Sequence, residues 1–293
     1  MRQVSQDRPL EGTVRTVEAR EGDGGQDGPD GASVAPAVGH VAPGRPHERP
    51  LLELEGVEAS YGPYRALFGV SFTVPEGSAV ALVGSNGAGK STVARVVSGL
   101  VKAKAGSVRF AGHEITRWPA WRIARAGIAH APEGRSVFAS LTVEENLLLA
   151  ARALLGRGRS SEALDRAFST FSRLGARRHQ LAGTLSGGEQ RMLSLAKVLA
   201  VPARLLVVDE LSLGLAPGIV DEVFSALGAI RDSGTSLLVV EQHLDRVLSM
   251  ADRVVLLVRG RVEAEGPVAE VEPVVARLLP APPSATRADA PRE

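Results

Sequence analysis

The sequence predicts an α/β protein built on a parallel sheet, and three observations carry this prediction. Short apolar runs rich in valine and leucine, at 78–83, 205–208 and 237–240, are typical of strands buried on both faces of a sheet. A glycine-rich loop at 84–91 follows the first run and precedes a helical segment. Strands that alternate with helices favour a parallel sheet with right-handed crossovers.

Length and composition fit one large or two small domains. The chain has 293 residues, 44% of them hydrophobic, so it can bury a substantial core. Its net charge of +1 gives no indication of nucleic-acid binding. The absence of cysteine excludes disulfides and thiolate metal sites and fits a reducing compartment. The sequence has no apolar run of about 18 residues and no signal-peptide pattern, so we expect any membrane role to come from partners.

The two ends of the chain differ in composition from its middle. Residues 1–50 contain no aromatic residue and are rich in Gly, Pro, Asp, Glu and Arg, which predicts a disordered leader. Residues 268–293 are expected to form a short C-terminal segment and then, from 280, a loose tail rich in Pro and Ala. One folded domain is therefore expected over 51–267, with a helical subdomain at about 133–200.

Apolar patterns and capping signals predict the elements of this domain in order. Alternation at 51–57 and 69–74 predicts antiparallel strands. Residues 91–100 are predicted to form a helix after the glycine loop, and residues 161–174 to form a further helical stretch.

Two helix starts carry their own signals. Thr142, with Glu145 three residues later, forms a capping-box pattern before the apolar run 147–155. Ser186 is predicted to cap a helix that continues to Ala200.

The glycine-rich loop predicts phosphate binding. Residues 84–91, GSNGAGKS, match G-x-x-x-x-G-K-[ST] at each fixed position, and a chance glycine-rich turn would lack the strand and helix that flank this one. Backbone N–H groups of such a loop turn toward the β-phosphate, and the helix N-terminus adds positive potential. Lys90 is expected to reach the β- and γ-phosphates, and Ser91 to bind Mg²⁺. The predicted nucleotide-binding residues of this segment are Gly84, Ser85, Asn86, Gly87, Ala88, Gly89, Lys90, Ser91 and Thr92.

Two acidic residues follow the buried strand 205–208. Asp209 and Glu210 are expected at the carboxyl end of this strand, where α/β sheets bind ligands. Asp209 is predicted to hold Mg²⁺ through water, and Glu210 to polarise the attacking water as general base. The alternative is an acidic pair that caps a neighbouring helix, and the phosphate loop favours the catalytic interpretation.

The hexapeptide LSGGEQ at 185–190 lies between the phosphate loop and the acidic strand. Ser186, Gly187 and Gly188 offer a small hydroxyl and bare backbone amides at a helix N-terminus, which suits an anion. An ordinary capped helix would explain the serine but not the two glycines. Together with the phosphate loop and Asp209–Glu210, this motif resembles the ATP-binding cassette (ABC) ATPases.

The resemblance covers about 51–267 and implies a P-loop NTPase (RecA-like) fold: a mixed sheet core, an antiparallel β subdomain and a helical signature subdomain. It implies that two cassettes close head to tail over ATP and Mg²⁺, with the signature residues of one cassette at the γ-phosphate of the other. Those residues are Ser186, Gly187, Gly188 and Glu189. Tyr61, 29 residues before Lys90, lies where the family places an aromatic residue on adenine, although turn packing would also explain it.

Besides Leu211, which replaces the usual proline after Glu210, two positions depart from the usual family pattern. The loop before the helical subdomain usually carries a glutamine, but residues 131–135 offer Glu133, which the resemblance places near nucleotide and Mg²⁺. The switch position is usually histidine, but alignment of 239–243 puts Gln242 there and His243 one place later. Glutamine can hydrogen-bond the γ-phosphate but cannot carry a proton, and a one-residue shift would bring the histidine there instead.

Four segments, at 132–135, 142–146, 212–217 and 240–242, together resemble the LivF-type ATP-binding subunit of branched-chain amino-acid importers. Such a subunit lies peripherally at the cytoplasmic face of the membrane. It works with a second cassette (a paralogue or a copy of itself), two transmembrane permeases and, indirectly, a substrate-binding protein.

Three alternatives stay open at this point. Amide and urea importers have close relatives of this subunit. DNA-repair or translation ATPases use the same head, but with coiled-coil insertions, tandem cassettes or basic surfaces that this sequence does not show. A non-hydrolysing regulatory cassette would not need intact Lys90, Ser186, Asp209 and Glu210.

Overall fold

The computed structural model describes residues 50–279 except for seven positions. These are Arg135, Arg157, Leu211, Leu213, Gly214, Gln242 and His243. The predicted leader lies outside the described residues except for Pro50, which begins the first strand, and so does the predicted tail at 280–293. Proline fits that position because the first residue of a strand can dispense with a ladder N–H group.

Strands and helices alternate along most of the described chain. The strands are β1 (Pro50–Tyr61), β2 (Tyr64–Pro75), β3 (Ala79–Val83), β4 (Ala105–Phe110), β5 (His113–Glu114), β6 (Ile128–Ala131), β7 (Leu205–Asp209), β8 (Ser236–Val240), β9 (Arg253–Val258) and β10 (Arg261–Pro267). The helices are α1 (Lys90–Val97), α2 (Ala120–Arg125), α3 (Val143–Leu155), α4 (Ser160–Thr170), α5 (Ser172–Gly175), α6 (Gly187–Leu199), α7 (Pro217–Asp232), α8 (Leu244–Met250) and α9 (Val268–Leu278).

A six-stranded mixed sheet positions the loops that carry the motifs. Its strand order is β10-β9-β3-β8-β7-β6. The five strands β9, β3, β8, β7 and β6 run parallel, and β10 runs antiparallel to β9. Every residue of β3, β7 and β8 is buried, which accounts for their continuous apolar runs. Leu82 and Asp209 are both in register with Val240, so the carboxyl ends of these three strands lie side by side.

A second, four-stranded antiparallel sheet has the order β2-β1-β4-β5. It confirms the antiparallel strands predicted at 51–57 and 69–74. Both strands are longer than predicted, since their pairing continues to Tyr61 and Tyr64 on either side of a tight turn at Gly62, whose φ is 58°.

Helices α3 to α6 lie between β6 and β7 in the chain. The capping box predicted at Thr142 is present, and the cap predicted at Ser186 forms a complete capping box with Glu189. The single helical stretch predicted at 161–174 is wrong, because α4 ends at Thr170 and α5 is a separate short helix. Phe171, between them, is fully buried with a ψ of 77°, so the packing of its ring interrupts the helix.

The core lies on the two faces of the six-stranded sheet. Alternate residues of β3 serve opposite faces: Ala81 joins the cluster under the helices α3 to α9, and Leu82 joins the cluster under α1 and the antiparallel sheet. The large sheet is thus the middle layer, and its carboxyl edge stays open for loops. None of the helices in the described part of the chain combines the length and the hydropathy needed to cross a bilayer.

Candidate functional site

The phosphate-loop segment leaves β3 at Val83 and enters α1 at Lys90. At Gly84 an added Cβ would lie 2.3 Å from the backbone oxygen of Leu257, so the protein's own backbone requires a glycine there. Gly87 has open space around it but a φ of 77°, a conformation that glycine adopts most readily. The loop is thereby fixed by its own fold before any phosphate binds.

Exposure differs along this segment. Ser85, Asn86 and Gly87 are exposed at the tip of the loop, whereas Ala88 and Thr92 are buried beneath it. The exposed tip is the part that a phosphate can approach.

Lys90 is held inside the loop. Its side chain is buried, and Nζ donates hydrogen bonds to the carbonyl oxygens of Gly84 at 2.8 Å and Ser85 at 3.1 Å. Burial lowers the pKa of this ammonium group, and the nearby carboxylates of Glu210 and Asp209 oppose that shift. A cation held in a loop of backbone N–H groups is suited to bind phosphate oxygens.

Ser91 and Asp209, two of the predicted metal ligands, come together from different elements. The Ser91 hydroxyl donates to Oδ1 of Asp209 at 3.0 Å, and Oδ2 is buried with no hydrogen-bond partner in the described residues. Burial raises the pKa of Asp209 to about 6, and the hydrogen bond from Ser91 opposes this shift. An orphaned carboxylate oxygen beside a hydroxyl fits Mg²⁺, which binds one or two protein oxygens and keeps several waters.

Glu210 follows Asp209 at the end of β7 and is half-buried. Its φ is 48°, a left-handed conformation that is uncommon for residues other than glycine and concentrates at functional sites. Its backbone N–H donates to the carbonyl oxygen of Val240 at 2.9 Å, which ties this turn to the end of β8.

The third predicted metal residue, Glu133, lies exposed in the loop after β6. Its charge acts on Asp209 and on Arg95, so it belongs to the same electrostatic neighbourhood. The predicted switch residues Gln242 and His243 lie outside the described residues.

The signature segment begins α6 with a complete capping box. The backbone N–H of Glu189 donates to the Ser186 hydroxyl at 3.3 Å, and the backbone N–H of Ser186 donates to the Glu189 carboxylate at 2.9 Å. The same carboxylate pairs with Arg177 at 2.7 Å, and its hydrogen bonds with Ser186 lower the pKa of Glu189. In the described part of the chain, no hydrogen bond joins Ser186 or Glu189 to the phosphate loop.

Gly188 is not explained by packing within the chain. An added Cβ would make only one close approach, an ordinary contact at 3.5 Å with Cδ1 of Ile219, and its φ is not in the left-handed region. Nothing in the described fold therefore requires a glycine at this position.

Tyr61 ends β1 with 41% of its surface exposed. Its hydroxyl accepts a hydrogen bond from Nη1 of Arg95 at 3.2 Å, which connects it to α1 behind the phosphate loop. Because much of its ring is exposed, a base can still stack on it.

Comparison with known proteins identifies the family. Residues 67–212 match the family model described as ABC transporter. The chain is 41% identical over 212 residues to the high-affinity branched-chain amino acid transport ATP-binding protein BraG of Pseudomonas aeruginosa, covering 72% of this chain and 91% of the relative. The chain belongs to the ABC transporter ATP-binding proteins. As an ABC ATPase it binds and hydrolyses ATP, as the motifs predicted.

Another relative and a solved structure support the same family assignment for this ABC ATPase. A probable branched-chain amino acid transport ATP-binding protein, LivF of Archaeoglobus fulgidus, is 37% identical and is matched over 75% of this chain and 94% of its own. A solved ATP-binding subunit of an ABC transporter superposes with a TM-score of 0.69 at 28% identity, covering 79% of this chain and 95% of its own. The predicted fold class is thereby confirmed.

Sequence reasoning missed two buried charged residues in this ABC ATPase. Arg191, on α6, donates from Nη1 to the carbonyl oxygens of Pro132, at 2.7 Å, and Gly134. It donates from Nη2 to those of Asp209 at 3.2 Å and Glu210 at 2.8 Å. The sequence does carry a signal for this residue: it is a charged residue followed by a helical turn of buried apolar residues. Such a position predicts a buried charge, which needs hydrogen-bond partners from elsewhere in the fold.

The second missed residue is Glu241, directly after β8. Its buried carboxylate accepts hydrogen bonds from the backbone N–H of Ser212 at 2.8 Å and from the Ser212 hydroxyl at 2.9 Å. This pair joins the segment after Glu210 to the segment that leads into the predicted switch position.

Proposed function

We propose that this chain is the ATP-hydrolysing subunit of an ABC importer for branched-chain amino acids. The observation that carries the proposal is the convergence of Lys90, Ser91, Asp209 and Glu210 at the carboxyl edge of the sheet. The relatives BraG and LivF, both named for branched-chain amino acid transport, support this choice of substrate.

Each of these residues has one role in the proposed reaction. The phosphate loop and Lys90 bind the β- and γ-phosphates, and Ser91 and Asp209 hold Mg²⁺. When bound, Mg²⁺ neutralises charge on the phosphate oxygens. Glu210 orients the attacking water and takes its proton.

Several residues around this centre complete the proposed site. Tyr61 stacks on the adenine, Glu133 lies near the nucleotide and metal, and Gln242 contacts the γ-phosphate at the switch position. His243 is the alternative for that last contact.

The glycine at 188 supports assembly with a second cassette. Since no contact inside the described fold requires it, its lack of a side chain serves an approach from outside the chain. A nucleotide bound to another cassette fits, because the N-terminus of α6 offers N–H groups to an anion. We propose a head-to-tail pair, with a paralogue or a second copy as partner.

An exposed apolar surface beside the Glu133 loop supports docking to permeases at the cytoplasmic face of the membrane. Phe138 and Leu181 are 52% and 48% exposed. Their loops are joined by backbone hydrogen bonds from Gly183 to Ala139 and from Ala182 to Leu141, each at 2.9 Å. Exposed apolar side chains held in a fixed arrangement are typical of interaction surfaces.

Uptake measurements test the transported substrate. The full chain is reconstituted in proteoliposomes with the permeases and the binding protein of the proposed importer. We expect ATP-dependent uptake of leucine, isoleucine and valine. Uptake of urea or short amides without leucine would assign the chain to the related importers instead. Hydrolysis of ATP without uptake of any of these compounds would contradict the proposal.

A further inference from the structure

Arg191 connects three functional segments through one side chain. It lies on α6, five residues after Ser186, and is 4% exposed. Its two terminal nitrogens donate to four backbone carbonyls, two in the loop after β6 and two in the turn after β7. The planar guanidinium suits this arrangement because its donors point in two fixed directions.

The charge of Arg191 is maintained despite its burial. Desolvation lowers the pKa of the guanidinium, but Glu133, Asp209, Glu241 and Glu210 all act in the opposite direction. Arginine stays protonated over the working range of proteins. A buried cation surrounded by carbonyls and carboxylates therefore resists displacement of the segments that it holds.

The backbone of Glu210 is fixed on both sides. Its N–H donates to Val240 at 2.9 Å, and its carbonyl accepts from Arg191 at 2.8 Å. Between these two bonds the residue has its left-handed φ of 48°. The direction of the Glu210 side chain follows from this backbone conformation, so loss of the Arg191 bond would release it.

We propose that Arg191 is a positioning residue for ATP hydrolysis, which holds Glu210 in its reactive orientation and ties it to the Pro132–Gly134 loop and the signature helix. This inference rests on the proposed function, because it takes Glu210 as the general base. Arg191 does not contact the phosphate loop in the described structure, so it acts on the chemical step and leaves ATP binding unchanged.

The test compares Arg191→Met with Glu210→Gln and with the double variant, using the full chain assembled with its permeases. We expect Arg191→Met to lower kcat on the order of 10²-fold, the loss that follows a displacement of about 1 Å in a catalytic group, with less than about a twofold change in the Kd for ATP. Because Arg191 acts through Glu210, the double variant is expected to be no slower than Glu210→Gln alone.

Arg166→Met is the matched control. Arg166 also donates two hydrogen bonds to a backbone carbonyl, that of Ala200, which lies at the other end of α6 from the signature residues. We expect it to leave kcat unchanged. Arg191→Lys keeps the charge without the planar fork, and its kcat is expected between those of Arg191→Met and the wild type. If Arg191→Met does not fold, Arg191→Lys is judged by the same criteria.

Three results would overturn the inference: a wild-type kcat in Arg191→Met, equal losses in kcat and ATP affinity, or a double variant slowed by the full product of the two single effects. If Glu210→Gln itself keeps the wild-type rate, the proposed role of Glu210 fails. If only Arg191→Met keeps it, the role of Glu210 stands and the inference fails.

Discussion

The residues at the carboxyl edge of the large sheet form a compact set of opposed charges. Lys90 and Arg191 are buried cations, and Asp209 and Glu241 are buried carboxylates that accept hydrogen bonds from serine residues. Burial raises the free energy of each isolated charge, and the opposite charges nearby offset part of that cost. Within this set, Oδ2 of Asp209 and Nε of Arg191 are buried without a hydrogen-bond partner in the described residues.

The buried carboxylate of Asp209 predicts that the stability of the metal-free protein depends on pH. The pKa of Asp209 rises from 3.8 to about 6 on folding. Between these values the folded protein binds more protons than the unfolded chain, so stability falls as the pH rises toward 6 and stays lower above it. Because the asparagine side chain carries no charge, Asp209→Asn should be more stable than the wild type, by about 3 kcal/mol at pH 8 and by less at pH 5.

Urea unfolding of both proteins in EDTA at the two pH values measures this difference. The same variant should lose Mg²⁺-dependent ATP hydrolysis, since the amide removes the anionic ligand. A stability difference that is equal at pH 5 and pH 8 would show that the charge of Asp209 is not responsible.

Motif spacing predicted the residues whose roles depend on local sequence. Lys90, Ser91 and Asp209 lie at fixed positions of the phosphate loop and the acidic strand, and the structure brings them together. Arg191 and Glu241 were not predicted, because their partners are distant in the sequence. The loop after β6 lies 57 or more residues from Arg191, and Ser212 lies 29 residues from Glu241. Such partners become adjacent only when β6, β7 and β8 align.

At the scale of elements, helix boundaries were predicted correctly where the sequence carries capping residues. The capping box was predicted from Thr142 and Glu145, and it is formed; the cap predicted at Ser186 is formed as well, with Glu189 completing a second box. The break at Phe171 was missed, since burial of a ring against distant elements leaves no local signal. Helix α1 ends at Val97, before the predicted end at Leu100, because Gly99 has a φ of 72°.

The start of α6 gives a prediction in which stability and activity change in opposite directions. Gly188→Ala should stabilise the isolated chain by about 0.5–1 kcal/mol, because alanine is the better helix residue and its Cβ meets only an ordinary contact. The same methyl group should lower ATP hydrolysis in the assembled complex, because it obstructs approach of the nucleotide bound to the other cassette.

Gly228→Ala is the control, since Gly228 lies inside α7 with nothing within 4 Å of an added Cβ. It should give the same gain in urea stability with unchanged ATP hydrolysis. If Gly188→Ala hydrolyses ATP like the wild type, the signature helix does not contact a nucleotide in the proposed way.

At the scale of the whole molecule, the sheet order determines which loops meet. The parallel strands β3, β8 and β7 are adjacent, so the phosphate loop, the segment at Glu241 and the turn at Glu210 share one edge. The alternation of strands and helices predicted a parallel sheet, but not this order. Spatial order depends on packing between both layers of the core, which a single sequence pattern does not encode.

Two proposals meet at this edge: Glu210 activates the water that hydrolyses ATP, and this hydrolysis drives import of branched-chain amino acids. The most direct measurement follows ATP hydrolysis, ATP binding and leucine uptake in the same proteoliposomes, for the wild type and for Glu210→Gln. We predict that the variant binds ATP like the wild type but loses hydrolysis and sustained uptake together. Wild-type rates of hydrolysis and uptake in Glu210→Gln would contradict the role proposed for Glu210.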